Sequence, residues 1–135
     1  MSLSFAHLQL HTHYSVSEGL CRVEKIAEKA KESGVFAVAL TDLDNLFAWV
    51  KFYKTLRAAG IKPIPGADVL IQIESYTVSI TALCLNDLGY KQLIDLISQA
   101  YQNDHRLDNR PIMKFEKLLE ASGIAVILHV EKGIK

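Results

Sequence analysis

The sequence has little cysteine, no long apolar run and no excess charge of either sign, and each absence excludes a class of protein. Its two cysteines, Cys21 and Cys84, lie far apart and outside any Cys-x-x-Cys pattern, which is typical of reduced thiols in a cytoplasmic protein. The longest purely aliphatic run, Ile124–Leu128, is too short to cross a membrane. No basic stretch followed by an apolar one opens the sequence, so we expect no signal peptide.

The charged residues are balanced. Lysine plus arginine and aspartate plus glutamate each number 15, which gives a formal net charge of zero. A surface that binds nucleic acid by itself needs an excess of basic residues, so we expect contact with DNA only through other domains. Half of the 135 residues are hydrophobic, which suffices for a buried core. The composition therefore predicts one globular domain, or a piece of one.

Strand-type and helix-type patterns alternate along almost the whole chain. The predicted strands cover 5–13, 35–40, 61–73, 76–85 and 124–128, and the predicted helices cover 22–34, 46–60, 90–101 and 114–123. The fourth strand is predicted to run antiparallel to the third, the last strand to be buried, and 102–111 to be a polar loop. This alternation predicts βαβ units, and hence an α/β protein with a parallel sheet or barrel.

Polar residues cluster where predicted strands end, which is where chemistry lies in such folds. The first strand presents His7, Gln9, His11 and His13 on one side, at the two-residue period of a strand. Imidazole is the commonest protein ligand for metals, but the amide of Gln9 is a poor one. The stretches TDLDN and GAD lie at or near the ends of two further strands, so these residues are expected to meet at one rim.

The acidic residues of these stretches also have a structural interpretation. Asp44 or Asn45 is expected to cap the following helix, and Asp42 to accept backbone N–H bonds in the turn. Asp68 is expected to be a structural acceptor with no base beside it. The aromatic residues at helical spacing in the second helix are predicted to be core or interface residues.

Three longer stretches resemble a known family: FAHLQLHTHYSVSEG, AVALTDLDNLFAWVKFYKTLRAAGIKPIPGADV and LNDLGYKQLIDLISQAY. They are similar to the start of the PHP (polymerase and histidinol phosphatase) domain in the alpha subunits of bacterial replicative DNA polymerase III. The similarity runs from about Phe5 to Tyr101, and more loosely to Leu128. It implies a distorted (β/α)7 barrel, of which residues 1–135 would be the N-terminal half, a single truncated domain.

The resemblance also carries over the family's metal-ligand pattern, position by position. The matching positions are Gln9, His11, Glu18, Leu43, Asp68 and Ser79. Because Gln9, Leu43 and Ser79 replace imidazoles, the pattern implies a vestigial site with no catalytic residue and no metal cluster. His11 and His13 remain weak candidates for one adventitious Zn²⁺, and His129 is not assigned.

The degenerate, proteobacterial branch of the family implies a function without catalysis. There the domain is a structural module and a docking surface for the proofreading exonuclease subunit. The remainder of the alpha chain is its other partner, and the Mg²⁺-dependent polymerase chemistry of DNA replication lies in other domains. The alternative is a metal-dependent PHP phosphoesterase that uses Zn²⁺ or Mn²⁺ with a rearranged ligand set. Half a barrel leaves two open sheet edges, so self-association is also expected.

Overall fold

The structure is a computed structural model that describes residues 5–12 and 22–129. Its strands are β1 (Ala6–His7), β2 (Ala37–Leu43), β3 (Lys62–Ile73), β4 (Tyr76–Cys84), β5 (Arg106–Leu107), β6 (Arg110–Lys114) and β7 (Ile124–Leu128). Its helices are α1 (Val23–Ser33), α2 (Trp49–Ala58), α3 (Asp87–Gln102) and α4 (Phe115–Leu119). The predicted α/β class is confirmed. In the described ranges, no helix is long and apolar enough to span a membrane.

One mixed sheet organises these elements, with a main path in the order β1-β2-β3-β4-β7. β1, β2 and β3 run parallel, as predicted for βαβ units. β4 is antiparallel to β3, also as predicted, because a tight turn joins the two with no crossover helix. β6 pairs with residues 70–72 of β3, beyond the stretch 62–68 that pairs with β2. β6 therefore continues the sheet along the same side of β3 as β2.

The core consists of two apolar clusters. The first lies between the sheet and helices α1 and α2, and the second between the sheet and α3 and α4. Phe52 and Leu56, four residues apart on α2, are fully buried in the first cluster, and each such burial contributes about 1.5–3 kcal/mol. Cys84 is a free thiol in the second cluster, where burial raises its pKa to about 12. Cys21 lies outside the described residues.

α1 ends at the predicted glycine, but the bounds of β2 differ from the predicted ones. Gly34 ends α1 with φ 70°, and its N–H lies against the carbonyl groups of Ala30 and Lys31. β2 begins at Ala37, two residues after the predicted start of 35–40. It ends three residues later than predicted, because 41–43 pair with 66–68 of β3. The chain turns only at Asp44, which has φ 54°.

Segment 102–111 contains most of a β-hairpin, so the prediction of a polar loop is wrong there. β5 and β6 are joined by Asp108 and Asn109, whose φ angles of 52° and 65° are those of a type I′ turn. Asp and Asn tolerate this conformation better than most residues. β6 then buries Ile112 and Met113 and pairs with β3. This distant pairing, and not the local polarity, decides the structure of the segment.

The prediction of a buried last strand is also wrong, because β7 is an edge strand. It pairs with β4 on one side, and within 5–12 and 22–129 no strand pairs with its other side. Val126, Ile127 and Leu128 are exposed, Leu128 by 60%. A run of apolar residues is typical of a strand buried on both faces, but it does not indicate whether another strand pairs with the free edge.

Candidate functional site

The candidate site is centred on Asp68, where β2, β3 and β4 lie side by side. The strand register places Leu43 of β2 and Thr81 of β4 directly opposite Asp68 of β3. Paired residues of neighbouring strands point to the same face of a sheet. These three side chains therefore share one face, close to the end of β2.

The carboxylate of Asp68 is almost fully buried and has three side-chain partners. Gln9 Nε2 donates to Oδ2 at 2.9 Å, and Thr81 Oγ1 donates to Oδ1 at 2.5 Å. His11 Nε2 lies 2.5 Å from Oδ2. Asp68 is thus the structural acceptor that the sequence predicted. The expectation that no base lies beside it is wrong, because His11 reaches it from the N-terminal segment.

Burial and hydrogen bonding act in opposite directions on Asp68. Burial raises the pKa of its carboxyl group, whereas the contacts with His11, Thr81 and Gln9 lower it. The hydrogen bonds prevail, so the pKa of Asp68 lies below its ordinary value. The group is therefore ionised at neutral pH, and its charge is stabilised by protein donors.

Thr81 and His129 extend this network toward β7, and the sequence predicted neither. Thr81 Oγ1 lies 2.6 Å from Nε2 of His129, the residue that follows β7. The pairing of β4 with β7 brings the two together, since Leu128 lies opposite Ile80. The one local signal was the two-residue period of β4, which puts Thr81 on the same face as Ser79. Nothing local in the sequence indicates that β7 pairs with β4.

Among the described residues, the other predicted ligand positions place no further histidine or carboxylate beside Asp68. Leu43 lies opposite the carboxylate, but its aliphatic side chain cannot coordinate a metal. Ser79 lies two residues from Thr81 along β4 and is half-buried. Glu18 and His13 fall outside the described residues.

His7 does not join His11 at the site. Its ring packs against Phe5, with 5.0 Å between the centroids. It also lines, with Leu10, a cavity of about 440 Å³ between β1 and α1. The predicted alternation holds for Gln9 and His11, which both contact Asp68. It does not extend to His7, because only Ala6–His7 form a ladder with β2.

The polar residues after β2 do not cap α2, so this prediction is wrong. The N-cap position is Ala48, which makes no side-chain hydrogen bond to the helix. Asn45 bonds within the turn instead, where its Nδ2 donates to the carbonyl oxygen of Leu43 at 2.9 Å. Asp44 pairs with Arg110, whose Nε lies 2.7 Å from Asp44 Oδ2. The turn is held by these contacts, and the helix begins only after it.

Asp42 accepts a backbone N–H as predicted, but from the N-terminal segment and not from the turn. Its Oδ1 accepts the N–H of Thr12 at 2.5 Å, and its Oδ2 accepts the Thr12 hydroxyl at 2.7 Å. Both residues are buried. The two bonds fasten the segment that carries Gln9 and His11 to the end of β2.

Arg110 ties the β5–β6 hairpin to the same region. Its Nη2 lies 3.3 Å from Asp44 Oδ1 and 3.4 Å from the main-chain oxygen of Asp68. The N–H of Asp44 donates to that same oxygen at 3.0 Å. Burial raises the pKa of Asp44 above its ordinary value, and the guanidinium of Arg110 offsets this only in part. The pair is a structural contact that joins the turn after β2 to the hairpin.

Solved structures share this arrangement of strands and helices. A protein from Bifidobacterium adolescentis, provisionally assigned as a metal-dependent phosphoesterase, has a TM-score of 0.59 and 18% identity over 74% of this chain and 34% of its own. An amidohydrolase from Chromobacterium violaceum has a TM-score of 0.58 and 20% identity over 70% of this chain and 32% of its own. The fold is that of part of a distorted PHP-type barrel, as the sequence predicted.

The family model of the PHP domain matches residues 7–132, and the chain belongs to this family. It is 40% identical over 133 residues to DNA polymerase III subunit alpha of Vibrio cholerae. Identity is 41% over 109 residues to that of Pseudomonas aeruginosa and 38% over 127 residues to that of Escherichia coli K12. These alignments cover 96%, 78% and 92% of this chain, but 11%, 9% and 11% of the relatives. The chain thus spans about a tenth of the length of the curated relatives it matches.

The residues around Asp68 do not fit the metal cluster that the family suggests. An ionised carboxylate has about four lone-pair positions, and Gln9, His11 and Thr81 already use most of those of Asp68. The side chain of Leu43 offers no donor. Within the described part of the chain, no three histidine, cysteine, aspartate or glutamate side chains form a group that could hold a metal ion.

Proposed function

We propose that residues 1–135 are the N-terminal part of the PHP domain of a cytoplasmic replicative DNA polymerase alpha subunit. In this proposal the domain is non-catalytic. It supports the rest of the alpha chain and docks the proofreading exonuclease subunit, while Mg²⁺-dependent nucleotidyl transfer and DNA binding belong to other domains. The identity of about 40% to three alpha subunits supports this context.

The observation that carries the proposal is the state of the Asp68 carboxylate. In a working metal site the carboxylate lone pairs are directed at the ions. Here the amide of Gln9 donates to the same oxygen that contacts His11. A metal would have to displace these bonds and would gain no imidazole at Gln9 or Leu43. In this proposal, hydrogen bonds to Asp68 hold Gln9, His11 and Thr81 together, as metal ions would hold the ligands of a working site.

Elemental analysis of the full-length alpha chain tests the non-catalytic assignment. After dialysis against metal-free buffer, we expect no stoichiometric Zn²⁺ or Mn²⁺ attributable to this domain. Asp68→Ala provides the comparison, because it removes the central carboxylate. Two or three ions per chain in the unmodified protein, lost in Asp68→Ala, would contradict the proposal. A single sub-stoichiometric ion that depends on His11 and His13 would not.

The alternative function is a metal-dependent PHP phosphoesterase with a rearranged ligand set. It is favoured by the line of contacts from His11 through Asp68 and Thr81 to His129, which joins two imidazoles and a carboxylate. Hydrolysis of a phosphomonoester by the full-length chain with added Zn²⁺ or Mn²⁺ would support it, provided that both His11→Ala and His129→Ala abolish the activity. We expect no hydrolysis above background.

A further inference from the structure

The outer face of α2 carries an exposed apolar and basic surface that neither the core nor the candidate site uses. We call it the α2 patch, and it consists of Val50, Tyr53, Lys54 and Arg57 of the helix together with Phe47, which lies in the turn just before it. Phe47 is 75% exposed and Val50 62% exposed, although both side chains are large and apolar. Contiguous exposed apolar side chains with a polar border are typical of interaction surfaces.

The α2 patch points away from the sheet. Phe52 and Leu56, on the opposite side of the helix, are fully buried in the core, so the patch faces outward. The exposed residues of β7, in contrast, lie at an edge of the sheet, where further strands of a barrel would pack. Completion of the barrel therefore accounts for the exposure of β7 but not for that of the α2 patch.

The charges of α2 indicate the chemistry of the partner. The helix contains Lys51, Lys54 and Arg57 and no acidic residue. Lys51 pairs with Glu24 of α1 at 2.6 Å. Among the described residues, no carboxylate forms an ion pair with Lys54 or Arg57. Two cations without a carboxylate partner in the described part of the chain, beside apolar side chains, complement a surface that presents carboxylates around an apolar group.

The aromatic side of the α2 patch is held in place by its neighbours. Trp49 packs against Tyr53, with 5.7 Å between ring centroids, and against Tyr90 of α3 at 6.1 Å. The guanidinium of Arg57 lies 5.8 Å from the centroid of the Tyr53 ring, within range of a cation–π interaction. Side chains that are already ordered lose little conformational entropy on binding, and tyrosine and arginine are enriched among the residues that dominate binding energies.

We infer that the α2 patch docks an acidic, apolar face of a partner protein; this rests on the docking role in the proposed function. A second copy of the chain fits poorly, because face-to-face contact would oppose Lys54 and Arg57 to the same cations. Single-stranded nucleic acid also fits poorly, since a chain of zero net charge with two unpaired cations here is a weak phosphate site.

The test measures binding between the full-length alpha chain and the purified exonuclease subunit of the same bacterium by titration calorimetry. Phe47→Ala and the double variant Lys54→Glu with Arg57→Glu each change the patch. The matched control is Lys91→Glu with Lys117→Glu, which makes the same charge change at exposed positions of α3 and α4. We expect each patch variant to weaken binding by about tenfold or more. The control variant should bind as the unmodified chain does, and all should show unmodified circular dichroism.

The outcomes separate the inference from the function on which it rests. If the unmodified chain binds the exonuclease and the patch variants bind equally well, the α2 patch is not the docking surface, but the docking role stands. If the unmodified chain does not bind, the docking role and the inference both fail. If the patch variants lose affinity for a single-stranded oligonucleotide but not for the exonuclease, the patch binds nucleic acid and the inference is wrong.

Discussion

Asp44 and Arg110 lie 66 residues apart in the sequence and form an ion pair, with Arg110 Nε 2.7 Å from Asp44 Oδ2. The pair joins the turn after β2 to the β5–β6 hairpin. Arg110 also contacts the main-chain oxygen of Asp68 at 3.4 Å. The hairpin therefore holds together the two strands on which the candidate site is built.

Replacement of Arg110 by Met should destabilise the chain by about 1–3 kcal/mol, because it leaves the buried carboxylate of Asp44 without its charged partner. Adding Asp44→Asn should recover most of this loss, since it removes the unpaired charge and asparagine tolerates the positive φ of this position. Urea denaturation of the four proteins gives the coupling energy. Lys114→Met, at an exposed position of the same strand, is the control. An equal cost for Arg110→Met and Lys114→Met would contradict a structural role for the pair.

The start of α3 crosses the backbone before β7 at Gly89, where a Cβ atom would collide with the carbonyl group of Gly123. These are backbone atoms, so Gly89→Ala should destabilise the chain by about 1–3 kcal/mol through overpacking. Ser98→Ala, at an exposed position of the same helix, should change the free energy of unfolding by less than about 0.5 kcal/mol. Thermal unfolding compares the two variants, and equal melting temperatures would count against this close approach.

Local patterns predicted the helices and most strands because each of these depends on residues near one another in the sequence. The spacing of Phe52 and Leu56 reports the buried side of α2, and Gly34 reports the end of α1. The β5–β6 hairpin and the exposed edge of β7 depend on which strands pair. Pairing between distant segments leaves no periodic signal.

The candidate site also has features that local patterns predict and features that depend on contacts between distant segments. The family resemblance singled out Asp68 and His11 as positions of the metal-ligand pattern, but it did not predict that their side chains contact each other. Thr81 and His129 enter the network only because β7 pairs with β4. Asp44 was predicted to be a helix cap because its own neighbourhood favours that role, whereas a partner far along the sequence, Arg110, takes its side chain.

Asp68 should make the chain less stable in acid. Burial raises its pKa, but the contacts with His11, Thr81 and Gln9 bring it below the ordinary value, so the unfolded chain binds the proton more tightly. Its contribution to the free energy of unfolding is therefore complete above about pH 4 and is lost as the pH falls through the lowered pKa.

Urea denaturation between about pH 3 and pH 7 compares the unmodified chain with Asp68→Asn. We expect a difference in stability at neutral pH that shrinks in acid. The raised pKa of Asp44 acts in the opposite direction, because protonation removes the cost of burying its charge. The charge of Asp68 contributes to this rise, so the opposing effect is smaller in Asp68→Asn than in the unmodified chain. A difference that stays constant with pH would contradict the prediction.

The family resemblance predicts that Gln9 and Leu43 stand where the pattern has histidines, and the structure puts both beside Asp68. Gln9 Nε2 lies 2.9 Å from its Oδ2, and Leu43 lies opposite it in the strand register. Gln9→His combined with Leu43→His would add two imidazoles next to Asp68 and His11. It would also remove the amide donor that now occupies the carboxylate.

In the full-length alpha chain, this double variant should bind Zn²⁺ about tenfold or more tightly than the unmodified chain, as measured by competition with a chelator. Gln9→Leu with Leu43→Met is the matched control, because it changes the same positions without adding a metal donor, and it should show no gain. Adding Asp68→Ala to the double variant should abolish the gain, since the carboxylate is the common ligand. If the double variant binds Zn²⁺ no better than its control, the two positions are not those of lost ligands, and the interpretation of the network around Asp68 as a metal site replaced by hydrogen bonds is wrong.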